Sequence, residues 1–357
     1  MNDHLRDSLL NRMGESALDS FIVVHPANIR YLTGYAGDNA FLAITRDRVV
    51  LFVYSMNLEI AERTVQAPVE ISVLETTAAD HFATLGTAFW GSVAGYEPEH
   101  MRCSTYRNIV EALKGTLLKP VSGMIESFRI VKRPEEVAAI ERAQVITDRV
   151  FAEVLGLLRE GIAELDIAAE VDYRFRRNGA SGPSFETIVA FGAHASMPHA
   201  IPDTRKLRNG DFVLIDMGTL LEGYASDMTR TVVFGRASEE QRERYRLVLA
   251  AQEAGILATR AGVPCADAFQ AAMAVFDAAG YRAAFIHSLG HGIGLEVHEL
   301  PAVSSRSHES FRAGAVVTVE PGLYFPGWGG IRIEDMVVVT DTGCRSLTAS
   351  PKTLLEL

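Results

Sequence analysis

The stretches "LRNGDFVLIDMG" (Leu207–Gly218) and "FRAGAVVTVEPG" (Phe311–Gly322) superimpose without a gap: Arg208 falls on Arg312, Gly210 on Gly314, Val213 on Val317, Asp216 on Glu320 and Gly218 on Gly322. Each reads as an apolar strand that ends on an acid followed by Xaa-Gly. Around them the chain repeats itself. Helical patterning through Val137, Ile140, Val150, Val154 and Leu157 and a second helix from Glu164 to the left-handed stop signal Asn178-Gly179 lead into strand-like "SFETIVAFG", "DFVLIDMG" and "ASDMTRTVVFG". Ser238 to Gln241 then forms a capping box opening a long helix, and a further helix runs from about Ala266 to Ala279 and stops at Gly280. Strands recur near "AFIHSLG", "AVVTVEPG" and "GIRIEDMVVVT". Two helices followed by hairpins, twice over, is an internal duplication.

Each half carries a second acid beyond the first: Asp227 follows Asp216 across the turn "LEGY", and Glu334 follows Glu320 across "YFPGWGG". Facing residues of a hairpin lie within about 5 Å at Cβ, so each half can aim two carboxylates at one point, and packing the halves together gathers four. An acid beside Gly at a strand end is ordinarily a solvated turn residue; the matched quartet is what argues otherwise. Four adjacent carboxylates cannot all stay ionised without cations, and a pair of hard divalent ions answers that need. His291, flanked by Gly290, Gly292 and Gly294 in "HSLGHGIGLEVHE", supplies the nitrogen, with glycines that let the backbone pass close to a ligand. An oxygen-rich set with one imidazole and no thiolate suits Mn²⁺, Co²⁺, Fe²⁺ or Zn²⁺.

Ahead of this half, from Phe21 to about Val121, the runs "FIVV", "VVLFVY", "EISVL" and "SVAGYE" alternate with helical patterns, as in an α/β domain with a mixed or parallel sheet. Pro134 followed by Glu135 and Glu136 opens a helix, so the boundary falls near Ser127 to Arg133 and divides the chain into 1–128 and 129–357. A chain of 357 residues readily forms two such cores. The net charge of −11, without any Lys/Arg-rich run, argues against nucleic acid or an anionic membrane surface as partner. The start "MNDHLRDSLLNRMG" has no signal-peptide pattern and no run is long enough to span a bilayer, so a cytoplasmic protein is expected. Cys103, Cys265 and Cys344 are odd in number and scattered, which predicts buried free thiols rather than disulfides.

The segments "IDMGTLLEGYASDMTRT", "HSLGHGIGLEVHELP", "VVTVEPGLYFPGWGG" and "IRIEDMVVVT" closely resemble the pita-bread-fold dimetal peptidases: Xaa-Pro aminopeptidases, Xaa-Pro dipeptidases and methionine aminopeptidases. "NIRYLTGYAGDNAFL" resembles the creatinase-type N-terminal domain of the proline-specific branch, so the likeness spans the chain. It implies an α/β creatinase-like N-terminal domain and an α+β pita-bread catalytic domain built by the duplication. By this resemblance Asp216 holds one metal, His291 and Glu320 the other, and Asp227 and Glu334 bridge both. Glu320 also takes the proton of the attacking water. His199 and His298 match histidines that bind the scissile carbonyl oxygen or shuttle protons, Arg332 an arginine that holds the site together, and His287 falls near the substrate. A homodimer is the family habit.

The expected substrate is a peptide with proline in second position, whose tertiary amide offers no N–H to ordinary peptidases. The N-terminal domain points away from methionine aminopeptidases. Dipeptidases of the family commonly carry an arginine just after the "HExP" turn, suited to a dipeptide's free carboxylate; here Ala302 stands there, with Arg306 and Arg312 as possible substitutes. On the sequence, therefore, an Xaa-Pro aminopeptidase is expected, with the Xaa-Pro dipeptidase as alternative. A metal-free binding module or creatinase-like hydrolase is disfavoured because all five ligand positions are kept.

Overall fold

The structure is a computed structural model describing residues 3–66 and 68–357. By its contacts the chain divides into two units, Met1–Phe128 and Arg129–Leu357. The first is built on a six-stranded mixed sheet: Ser20–Val23 pairs antiparallel with Ala40–Thr45, which pairs antiparallel with Val49–Tyr54, while Glu70–Leu74, Val93–Tyr96 and Leu117–Pro120 add in parallel. Its central strands Ser20–Val23 and Val49–Tyr54 are buried on both faces, which is why they read as unbroken apolar runs. Trp90, Phe82 and Phe52 fill one layer, with the Trp90 indole N–H donating to the Phe82 carbonyl. Two strands escape the sequence reading: Ala40–Thr45, and the four-residue Leu117–Pro120, too short to show a period.

The second unit shows the duplication. Helices Pro134–Leu155 and Glu164–Arg177 precede one set of strands, and Glu239–Ala258 and Cys265–Ala278 precede the other. Pro134 sits in the first turn of its helix, and the Ser238 hydroxyl accepts the backbone N–H of Gln241 as a cap. Phe212–Met217 lies between Ile188–Phe191 and Met228–Val233; Val316–Val319 lies between Gly290–Gly292 and Asp335–Val339. Val213, Ile215 and Met217 pack with Val189, Phe191 and Val232, whereas Val317 and Val319 pack with Phe276, Leu289 and Val337. Each central strand thus lies in its own apolar core, leaving the end of the strand as the place where polar groups gather.

Two expectations need correction. "AFIHSLG" is not a strand: only Gly290–Gly292 pairs, because the chain enters the segment through a tight 3-10 turn over Arg282–Ala284, where the carbonyls of Tyr281 and Arg282 take the backbone N–H groups of Ala284 and Phe285. The thiols are all free, as expected, but only Cys265 is buried; Cys103 is exposed at the start of the helix Cys103–Ala112. Among the described residues no helix is long and apolar enough to cross a membrane.

Candidate metal centre

His199, Asp216, Asp227, His287, His291, His298, Glu320, Arg332 and Glu334 all line one cavity of about 590 Å³. The ladders explain how. Asp216 lies on the face of its strand shared with Phe212 and Leu214, and Glu320 continues the face of Val316 and Thr318. The opposite faces are given to the two cores. Gly218 has to be glycine because a Cβ there would lie 2.0 Å from the carbonyl oxygen of Ser226, in the strand returning from the turn. A Cβ at Gly290 would likewise lie 2.0 Å from the Thr318 oxygen. Gly290 and Gly292 therefore serve the tight approach of neighbouring strands of this chain, a demand the sequence reading did not see.

The donor atoms converge. One ligand atom each from Asp227, His291 and Glu334 lie within 4.8 Å of one another. The His291 Nε2 is 3.4 Å from Glu320 Oε1 and 3.7 Å from Asp227 Oδ2. Its Nδ1 lies 3.0 Å from the Gly292 carbonyl oxygen, so in the neutral ring Nδ1 carries the hydrogen and Nε2 turns its lone pair to the acids. Asp216 Oδ1 is buried with no hydrogen-bond partner among the described residues, although its Oδ2 accepts Arg332 Nη2 at 2.5 Å. A buried carboxylate oxygen left unpartnered in such a cluster is what a cation would complete. The residues present fit a divalent metal site: oxygen-rich, one imidazole, no thiol.

Protonation follows from burial. Asp227 and Glu334 are pushed well above the ordinary carboxylate range, first by burial and then by neighbouring carboxylates, Glu334, Asp216 and Glu320 for the former and Glu320 and Asp216 for the latter. Burial pushes Asp216 up as well, against the pull of Arg332. Burial also acts to raise Glu320, but its hydrogen bond with His291 and the charges of His291, His287 and Arg332 prevail and hold it at about 2. For His291, burial lowers and Glu320 more than restores, so its pKa rises; burial lowers those of His287 and His298.

Two residues absent from the sequence reading complete the site. The Thr229 hydroxyl donates to Glu334 Oε2 at 2.8 Å and accepts Arg332 Nε at 3.0 Å. Arg332 Nη1 donates to the Tyr324 hydroxyl at 2.7 Å, which lies 2.9 Å from His287 Nε2; His287 Nδ1 in turn meets the Ser288 oxygen at 2.7 Å. A bonded chain thus runs from Asp216 through Arg332 and Tyr324 to His287. No spacing rule points to Thr229 or Tyr324. His199 and His298 are exposed on the cavity wall, and the loop bearing His199 is held by Glu164, whose carboxylate accepts the backbone N–H of Phe191 and Asp203 and pairs with His194. Arg306 and Arg312, offered as substitutes at Ala302, do not line the cavity. Tyr224 and Trp328 pack elsewhere, on Glu136 and on Phe212 and Arg244.

A duplicated α+β unit that turns four carboxylates and an imidazole into one cavity has the build of a metal-dependent hydrolase. Comparison with known proteins makes this specific. Residues 138–341 match the model of metallopeptidase family M24, and residues 6–131 that of the creatinase/prolidase N-terminal domain. The chain is 33% identical to the Xaa-Pro dipeptidase of Pyrococcus furiosus, covering 98% of this chain and 99% of that protein. The solved Xaa-Pro dipeptidase from Bacillus anthracis matches with TM-score 0.95 at 32% identity over 99% of both chains, and an X-Pro aminopeptidase from Thermotoga maritima with 0.90 at 32%, over 97% of this chain and 100% of that one. The chain belongs to metallopeptidase family M24, with a creatinase-like N-terminal domain followed by the pita-bread catalytic domain. It is a metal-dependent peptidase. The preference for an aminopeptidase drawn from Ala302 is not sustained: the relatives' names favour the dipeptidase alternative.

Proposed function

We propose that this protein is an Xaa-Pro dipeptidase working with two divalent ions, Mn²⁺ foremost, held by Asp216, Asp227, His291, Glu320 and Glu334. The observation that carries the reading is the convergence of these donors on one cavity, with Asp227, His291 and Glu334 mutually within 4.8 Å and an unpartnered Asp216 oxygen beside them. Asp227 and Glu334, the two most deeply buried of the acids, would hold both ions. Bound there, the ions supply Lewis acidity toward the scissile carbonyl and lower the pKa of water.

The chain's own residues do the rest. Glu320, as a carboxylate, accepts the proton of the attacking water. His199 and His298 approach from the exposed wall and bind the carbonyl oxygen as negative charge develops on it; the proton that Glu320 took from the water is relayed through one of these imidazoles to the proline nitrogen as the C–N bond breaks. Arg332 fixes Asp216 in place. Phe185, Ile188, Pro202 and Val297 give the cavity an apolar wall that suits a pyrrolidine ring.

One observation favours the aminopeptidase as a second reading. Among the described residues lining the cavity the only guanidinium is Arg332, already bonded to Asp216, Tyr324 and Thr229, so no free guanidinium meets the carboxylate of a dipeptide. Mn²⁺-loaded protein incubated with an Xaa-Pro dipeptide and an Xaa-Pro-Yaa tripeptide separates the two. Faster cleavage of the dipeptide is expected; cleavage of the tripeptide alone overturns the dipeptidase.

A further inference from the structure

We propose that Glu299, locked by Arg129 and Lys132, is a positioning residue for His298; the proposal rests on the catalytic reading of His298 given above. His298 ends the turn between the strands Gly290–Gly292 and Glu299–Val303. Among the described residues no hydrogen bond to its ring is present, whereas the rings of His291 and His287 are each tied to a backbone carbonyl. The His298 ring packs on that of His291, with 4.3 Å between centroids, but no hydrogen bond sets its orientation, so its placement depends chiefly on its backbone.

That backbone is clamped from behind. The next side chain, Glu299, does not line the cavity; neighbours along a strand point to opposite faces. Its carboxylate is buried and fully engaged. Oε1 accepts Arg129 Nη2 and, at 3.1 Å, the backbone N–H of Glu296; Oε2 accepts Lys132 Nζ at 2.9 Å. Arg129 also reaches Glu296 Oε2 at 2.8 Å. The side chains of Arg129, Lys132 and Glu299 are 3%, 2% and 5% exposed, so three charges lie together out of water. Gly294 completes the clamp, since a Cβ there would lie 2.8 Å from Glu299 Oε2 and 3.0 Å from Lys132 Cε. The turn is seated directly on the ion knot.

A buried ion cluster of this kind is a poor device for stability alone, because apolar side chains of similar volume often stabilise as well or better. What it does supply is direction. Each oxygen of Glu299 has fixed donors, so the strand cannot twist or slide by a fraction of an ångström without breaking a charged hydrogen bond in a low-dielectric setting. A lever of one residue carries that constraint to His298. In Glu299→Gln the shape is kept and the charge lost, leaving Arg129 and Lys132 short of their partner.

The test uses the full-length protein, with kcat, KM and metal content measured for Glu299→Gln, His298→Ala and the double variant. Supplying the backbone that orients a reacting group is comparable to orienting a metal ligand from outside, for which losses of about 10- to 100-fold are typical. Glu299→Gln is expected to lower kcat by about that factor, with KM and metal content unchanged, and to have little further effect once His298 is alanine. In metal-stripped protein the NMR signal of the His298 Cε1–H group should shift or split in Glu299→Gln while that of His199 holds its position. Equal loss of kcat with and without His298, or loss of metal, overturns the proposal. If His298→Ala itself leaves kcat unchanged, the catalytic reading of His298 fails, and an unmoved NMR signal would show the positioning to fail on its own. Should Glu299→Gln not fold, Lys132→Met, which leaves the Arg129 contact intact, is read in the same way.

Discussion

The two hairpins that carry the acids look alike in sequence and differ in register. In the first, Met217 faces Met228 and Asp216 faces Thr229, so the ladder sets Asp227 opposite Gly218, diagonal to Asp216. In the second, Val319 faces Asp335, and continuing the ladder sets Glu334 directly across from Glu320. The place that a second acid would take opposite Asp216 is filled by Thr229, whose hydroxyl reaches across to Glu334. Arg332 makes the return crossing, from the second half to Asp216 of the first. The flanking strands differ too: Ala190 faces Leu214 next to Asp216, while His291 occupies the corresponding position beside Thr318 and Glu320. One fold, used twice, thus produces a site with nitrogen on one side only. Charge follows: Glu320 is held at about 2 by its imidazole, and Asp216, which has none, is pushed up by burial.

Breaking the shared part of the comparison should have the largest effect. Asp227→Asn removes a charge from the centre of both halves and is expected to cost activity on the order of 10³-fold or more together with metal content; full turnover with normal metal content would show that Asp227 is no ligand. His298→Ala leaves both hairpins intact, so kcat is expected to drop by about 10² to 10⁴ with metal retained, as checked by elemental analysis beside steady-state kinetics. Thr229→Val cuts the tie from the first half to the second while keeping the shape of the side chain. Metal affinity measured by competition with a chelator is expected to weaken by about 10- to 100-fold.

The smallest effect sharpens the electrostatic contrast. Asp227 and Glu334 have pKa values raised by burial and by their neighbours, so in metal-stripped protein the stability they contribute is fully present below the unfolded value of about 4 and is lost as pH rises through the folded values. Glu320, held at about 2, has the opposite sign: its contribution is present above about 4 and is lost as pH falls toward 2. The thermal midpoint of stripped protein is expected to fall as pH rises above about 4, and added Mn²⁺ to raise it more at higher pH, because the ion takes the place of protons. A midpoint insensitive to both pH and metal would contradict the assignment of these acids to one cluster.

Much of the site was legible before any coordinates. Asp216 and Glu320 stand out because an apolar strand buried on both faces reads as an unbroken run that an acid visibly ends, and repetition of that ending separates it from chance. His291 stands out through its glycines, although one demand on them was not seen: a Cβ at Gly290 meets a neighbouring strand. Thr229 and Tyr324 were silent, being ordinary residues within strands whose importance lies wholly in their partners. The strand expected at "AFIHSLG" failed because a tight turn over Arg282–Ala284 takes the backbone bonds at its start, and pairing begins only at Gly290.

By itself, the amino-acid order determined that there would be two helix-and-hairpin halves, each ending a buried strand on a carboxylate, because periodicity and glycine placement are local properties of the chain. Only the tertiary structure decided that Thr229, not an acid, faces Asp216, that Asp227, His291 and Glu334 meet within 4.8 Å, that Arg332 reaches Asp216, and that Glu299 is knotted to Arg129 and Lys132. Those choices join residues far apart in the chain, and they are made by burial: once these charges leave water, each must find the partner that packing brings within reach.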